Sequence, residues 1–174
     1  KPLAVPTAAL GEALAQEWAA QETVIDPSAM PLTRIVNVAL DAVEAARADV
    51  VADIARYARS DLVVYRAADP ARLAALQAER WDPVLDHVRD RWGARFLISE
   101  GVVFVEQPRS SVARIEEAVA AEGSVLRLAA LHVMTTLTGS VLIALAHADG
   151  ALDAEAAWEA AHVDELYQES VWGT

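Results

Sequence analysis

Residues Trp81–Gly93 read WDPVLDHVRDRWG: two tryptophans, three aspartates, one histidine and one proline. Trp81, Leu85, Val88 and Trp92 recur at steps of four, three and four, which places them on one side of an α-helix. Both tryptophans therefore belong to a packing stripe. Asp82-Pro83 reads as a helix start, so Asp82 serves as a cap and any helix arriving from Asp69-Pro70 stops near Arg80 or kinks there. Gly93 ends the helix. Asp86, His87 and Asp90 could form a metal or acid/base cluster. They fall at differing angles, however, and Arg89 and Arg91 lie close enough to neutralise the aspartates, so the stretch reads as a packing helix with a solvated side.

Working outward, LAVP (Leu3–Pro6) reads as a short strand, and Thr7 as the N-cap of a helix reaching about Gln21. Leu10, Leu14 and Trp18 form its apolar stripe, so Trp18, like Trp81 and Trp92, is expected to be buried. VIDPSAMP (24–31) is a loop. Leu32, Ile35, Val36 and Ala39 mark a second helix; Val50, Val51 and Ile54 mark a third, from about Ala48 to Arg59. LVVYR (Leu62–Arg66) reads as a strand. Asp69-Pro70 opens the helix leading to Trp81, with Asp69 as its cap. ARFLISE and VVFVE, either side of Gly101, read as a β-hairpin near 94–106. Helical regions follow over 109–122, 125–147 and 152–171. The expected fold class is α+β and predominantly helical. An N-terminal α/β portion (1–68) packs on a C-terminal all-α domain (69–174). A lone first strand leaves its edges unpaired, which implies upstream sequence removed or processed.

The composition narrows the function. The chain has 174 residues, 55% hydrophobic, with no cysteine, which excludes thiolate nucleophiles, disulfides and cysteine zinc sites. A formal net charge of −12 argues against nucleic acid and anionic membrane. From Asp149 onward there are seven acids and no Lys or Arg. Such a field steers basic partners, although a solvated acidic helix is an equal reading. The uncharged run Leu128–Ala146 contains His132, three threonines and Gly139-Ser140. It reads as a buried helix, or two short ones, and no membrane insertion is expected.

Residues for catalysis are sparse. Glu159-x-x-His162 has the spacing of carboxylate-bridged di-iron bundles, but no second Glu-x-x-His exists. No serine sits in a nucleophile elbow, and no glycine-rich phosphate loop is present. In the terminal segment AEAAWEAAHVDELYQESVWGT, Leu152, Ala156, Val163 and Tyr167 share one helical flank. Glu155, Glu159, His162 and Glu169 turn away from it, with Trp158 and Trp172 beside the acids. Tryptophan next to charge, off the core stripe, suits a protein-contact surface; packing on neighbouring helices is the plainer alternative.

Several stretches together resemble one family, the assembly chaperones for the α subunit of the catalytic head of F-type ATP synthase. They are LAVPTAALGEALAQEWAAQ (3–21), IDPSAMPLTRIVNVALD (25–41), SDLVVYRA (60–67), LQAERWDPVLDHV (76–88) and WEAAHVDELYQESVWG (158–173). Between about Ala94 and Gly150 the likeness is of pattern only. The resemblance implies a noncatalytic chaperone that holds new α subunit before it meets β, without nucleotide, metal or other cofactor. It places the family's functional acidic pair on Asp164 and Glu165, and its Glu-Trp pair on Glu17 and Trp18. The expected binding residues are Asp164, Glu165, Glu155, Glu159, Glu169, Trp158 and Trp172. The compartment implied is the cytoplasm of a bacterium, which the Arg- and Ala-rich composition favours, or the mitochondrial matrix of a eukaryote. Two departures stand out. His87 replaces the family's usual Trp, and the strands ahead of LAVP and the segment beyond WG are absent, as expected for a fragment or cleaved chain. The alternative function is a small helical enzyme with an acidic site around Glu159, His162 and Glu165.

Overall fold

Six consecutive apolar residues, Val141–Ala146, are all buried, and the architecture is arranged around them. The computed structural model describes residues 4–101 and 103–173. In chain order the helices are α1 (Ala8–Ala19), α2 (Pro31–Val38), α3 (Arg47–Arg56), α4 (Ala71–Trp92), α5 (Arg109–Ala120), α6 (Val125–Thr138), α7 (Val141–Ala148), α8 (Ala154–Ala161) and α9 (Val163–Trp172). A π-helical turn, Ala39–Val43, extends α2. Strands β1 (Tyr65–Arg66) and β2 (Ser99–Glu100) pair in parallel, with Tyr65 opposite Ser99 and Arg66 opposite Glu100. The chain is thus predominantly helical with a minor strand component, as the sequence indicates.

A helix apolar on every side belongs at the centre of a fold. α4, α6 and α8 pack around α7. Its N-terminal amides would be orphaned there, and each must find an acceptor. Ser140 Oγ accepts from Ile143 N at 3.0 Å, and Asp61 accepts from Leu142 N at 3.2 Å. The Ser140 hydroxyl donates to Asp61 at 2.5 Å, and Val63 N donates to it at 3.3 Å. Asp61 is fully buried, and desolvation pushes its pKa up to about 6 against the pull of these donors. The apolar cluster joins Val43, Ile54, Val63 and Val64 to Trp81, Val88, Ile115, Leu128 and Leu142, so contact is continuous across residue 68.

At the periphery, α1 rests on α2. Thr7 caps α1 by accepting from Leu10 N at 3.2 Å. α2 has no capping side chain of its own, and Glu17 supplies one. Its carboxylate accepts from Leu32 N at 2.7 Å, Thr33 N at 2.8 Å and Thr33 Oγ1 at 2.7 Å. Desolvation works to raise the Glu17 pKa, but these bonds together hold it below its ordinary value.

Several expectations are corrected. α4 runs unbroken through Pro83. Pro83 is exposed, as is Glu79, whose carbonyl loses its helical partner, while Trp81, Val84 and Val88 are buried. Asp82 is not a cap; it binds Arg66 at 2.8 Å. Pro70, not Asp69, holds the cap position of α4. Leu62–Val64 is a 3₁₀ turn nucleated by Asp61, which leaves only Tyr65–Arg66 as strand. Among the described residues 94–106 form no hairpin. The Gln107 amide replaces the second strand, accepting from Leu97 N at 2.8 Å and donating to Leu97 O at 2.9 Å. Ala4–Pro6 are not strand, and Leu3 lies outside the described residues. The region 152–171 breaks at His162. Trp18 is 49% exposed, because α1 is a satellite whose only buried residue is Leu14; Trp81 is 1% exposed, and Trp92 is half-buried.

Trp81→Ala should cost about 3–5 kcal/mol in urea unfolding, and Trp18→Ala less than half of that. Equal losses would show that α1 is not peripheral. Asp61 gives a second expectation. Its folded pKa exceeds the unfolded value, so the stabilisation from its protonated form is complete below about pH 3.8 and is lost as pH rises through about 6. That interval corresponds to roughly 3 kcal/mol. Asp61→Asn cannot titrate, so the parent's stability relative to it should decline by up to about that amount between pH 4 and pH 7. A gap independent of pH would place the titration elsewhere.

Candidate protein-docking surface

α4 is the rail on which the acidic C-terminal segment is mounted. Trp81 Nε1 donates to Ala160 O at 2.6 Å, which fixes α8 while the indole fills the core. One residue earlier, Arg80 pairs with Glu159 at 2.9 Å. One turn earlier, Gln77 Nε2 donates to Asp164 Oδ1 at 2.7 Å, in the first turn of α9. Asp153 caps α8 by accepting from Ala156 N at 2.8 Å. α9 has no side-chain cap, but Asp164 and Glu165 in its first turn complement the positive end of its dipole.

The residues singled out from sequence separate into tethered and free groups. Glu159 and Asp164 are half-buried and held by Arg80 and Gln77. Glu155, Glu165 and Glu169 are exposed and have no ion-pair partner among the described residues. Trp158 is 55% exposed and stacks on His162 at 3.8 Å between ring centroids, with planes 28° apart. Trp172 is 83% exposed. Leu166 and Val171 are also exposed on α9, which the pattern reading missed. The expected flank is split by the break: α8 buries Ala157 and Ala160, while α9 buries Val163. The exposed surface of α8 and α9 thus carries indole and aliphatic groups together with carboxylates that have no ion-pair partner among the described residues.

This geometry does not assemble the enzyme alternative. His162 Nδ1 lies 2.9 Å from Trp158 O, and Glu159 is committed to Arg80. Among the described residues no hydrogen bond joins His162 to Glu159 or Glu165, and no group of three or more His, Asp or Glu could hold a metal ion. The Asp86-His87-Asp90 cluster is divided in the same way. Arg89 bonds to both aspartates; these bonds, that to Asp90 foremost, raise the Arg89 pKa, and the bond to Arg89 lowers that of Asp90. His87 Nε2 lies 3.0 Å from Asp149 Oδ2 but out of line for a hydrogen bond, and its ring meets Trp92 edge-on. A groove of about 1030 Å³, lined by Arg91, Trp92, Arg114, Leu131 and Met134 among others, contains none of the seven expected binding residues.

Gln77 and Arg80, which hold Asp164 and Glu159, are the positions that sequence spacing passed over. Gln77 did leave a signal. It stands four residues before Trp81, a polar group on the apolar side of α4, where only a partnered amide is tolerated.

Comparison with known proteins places this arrangement. The model of the ATP12 chaperone protein family matches residues 1–89. The Agrobacterium tumefaciens protein Atu1473 is 45% identical and superposes with a TM-score of 0.92, over 99% of this chain and 65% of that one. Atp12 from Paracoccus denitrificans is 39% identical with a TM-score of 0.91, over 99% of this chain and 74% of its own. The chain therefore spans about two thirds of the length of the first relative and three quarters of the second. With its first half matching in sequence and nearly all of it matching in structure, the chain belongs to the ATP12 chaperone family.

Proposed function

We propose that this chain is a noncatalytic chaperone that binds the unassembled α subunit of F-type ATP synthase and promotes assembly of the catalytic head. The observation that carries the reading is the α8–α9 face. Exposed Trp158, Leu166, Val171 and Trp172 share these two helices with exposed Glu155, Glu165 and Glu169, and no Lys or Arg follows Arg127. Aromatic anchors give affinity at a protein interface, and surrounding charge gives association rate and partner choice. A client surface that combines apolar and basic groups, and would otherwise aggregate, fits such a face. Membership of a chaperone family supports the same role.

The site of action in this reading is the cytoplasm of a bacterium or the mitochondrial matrix of a eukaryote. Among the described residues no helix is long and apolar enough to cross a membrane.

The test is capture of the free α subunit as a stoichiometric complex. Replacing Glu155, Glu165 and Glu169 together by Gln keeps shape and removes charge. The melting temperature should stay near the parent's, because exposed helical changes typically shift stability by about 0.5 kcal/mol or less each. Capture should weaken, most at low salt where screening is least. Full capture by the triple variant across a salt series would remove this face from the interface.

A further inference from the structure

Gln77 is 2% exposed, so no partner can reach it, yet both ends of its amide are used. Oε1 accepts from Ala67 N at 2.7 Å, and Nε2 donates to Asp164 Oδ1 at 2.7 Å. The orientation is unambiguous, since an amide donor requires the oxygen and a carboxylate requires the nitrogen. One side chain of α4 therefore ties the segment after β1 to the first turn of α9. β1, which leads into that segment, is itself anchored: Arg66 bonds to Val63 O at 3.1 Å and to Asp82 at 2.8 Å.

α9 depends on that tie. It has ten residues, buries only Val163, and follows an uncapped break at His162. A helix this short is marginal in water by itself, so tertiary contacts must hold it. The two acids of its first turn are placed differently. Asp164 points inward to Gln77; Glu165 is exposed with no ion-pair partner among the described residues.

We infer that Gln77 is a positioning residue for the docking face, that Asp164 acts on the partner through this tie, and that Glu165 presents the charge a partner meets. The inference rests on the chaperone reading of the α8–α9 face. If the tie is lost, α9 samples other orientations, and apparent affinity falls with the fraction that remains competent. When the tie is lost at Gln77, which carries no charge, the salt dependence of binding stays the same.

The experiment compares Gln77→Leu, Asp164→Ala, Asp164→Asn and Glu165→Gln in two measurements. The first is amide hydrogen exchange of the free protein. Gln77→Leu and Asp164→Ala should speed exchange over residues 166–170 and leave α7 protected, whereas Asp164→Asn, which keeps an oxygen for Gln77, should stay near the parent. The second is α-subunit capture at low and high salt. Gln77→Leu should weaken it roughly tenfold with unchanged salt slope, Asp164→Ala should weaken it by a similar factor, and the two together no further. Asp164→Asn should retain most of it, and Glu165→Gln should lower the slope. Parent-like exchange in Gln77→Leu would overturn the positioning role. Loss in Asp164→Asn equal to that in Asp164→Ala, with a shallower slope, would make Asp164 a direct contact. If the parent captures no α subunit, the chaperone reading fails, and exchange still decides whether Gln77 positions α9. Should Gln77→Leu not fold, Asp164→Ala, altered at a half-exposed position, carries the same comparison.

Discussion

Enclosing α7 is the constraint from which the other placements follow. Its apolar surface must be covered on all sides, and its first amides must be satisfied without water. Asp61 and Ser140 meet the second requirement, and meeting it fixes where the chain before β1 can run. The same carboxylate also accepts from Val63 N, so it starts the 3₁₀ turn that carries Val63 and Val64 into the core. A carboxyl pKa raised to about 6 by burial is the penalty, and its hydrogen-bond donors limit it. α4 then covers α7 on one side and, being 22 residues long, extends past it. Its exposed proline is tolerated because the bond given up faces solvent.

The length of α4 makes it the organiser of the proposed docking face. Its N-terminal half holds Gln77, Arg80 and Trp81, each joined to α8 or α9. Its C-terminal half reaches Asp149, at the end of α7, through Arg91 at 3.1 Å. The helix stops where Gly93 adopts φ 67° and the Arg114 guanidinium donates to Trp92 O at 3.0 Å. A side chain at position 93 would both strain the backbone and collide with that guanidinium. α7 and α8 are thereby registered on one element, while Trp158, Trp172, Glu155, Glu165 and Glu169 remain exposed.

Periodicity made the helices legible, because the apolar side of α4 and the uniformly apolar α7 are strong one-dimensional signals. Thr7 as a cap and Gly93 as a terminator were legible for the same reason: their chemistry is local. Trp18 was misread because a stripe shows that a residue faces something, not that the something is thick enough to bury it. Pro83 was misread because the effect of an internal proline depends on which side meets water. The hairpin around Gly101 failed because β-branched content cannot show that the Gln107 side chain, rather than a second backbone, would pair with Leu97. The acids and tryptophans of the docking face were visible as types and positions. Their division into tethered and free groups was not, because Gln77 and Asp164 are 87 residues apart.

One device recurs where the fold lacks regular hydrogen bonding. Glu17 caps α2, Asp61 caps α7, Gln107 stands in for a strand, and Gln77 bridges the end of β1 to α9. In each case a polar side chain supplies bonds that a longer sheet or a self-capped helix would make for itself. Strands of two residues cannot do this, and short helices have a high proportion of unpaired ends. Such ties are distant in sequence and sensitive to a single atom, so they fix position more sharply than apolar burial does. Burial keeps α8 and α9 on the molecule through Ala157, Ala160 and Val163, whose small or branched side chains would tolerate some sliding. The Trp81, Arg80 and Gln77 bonds remove that freedom and hold the exposed rings and carboxylates in one arrangement. If the surface meets a client as proposed, that arrangement is what these bonds add beyond stability.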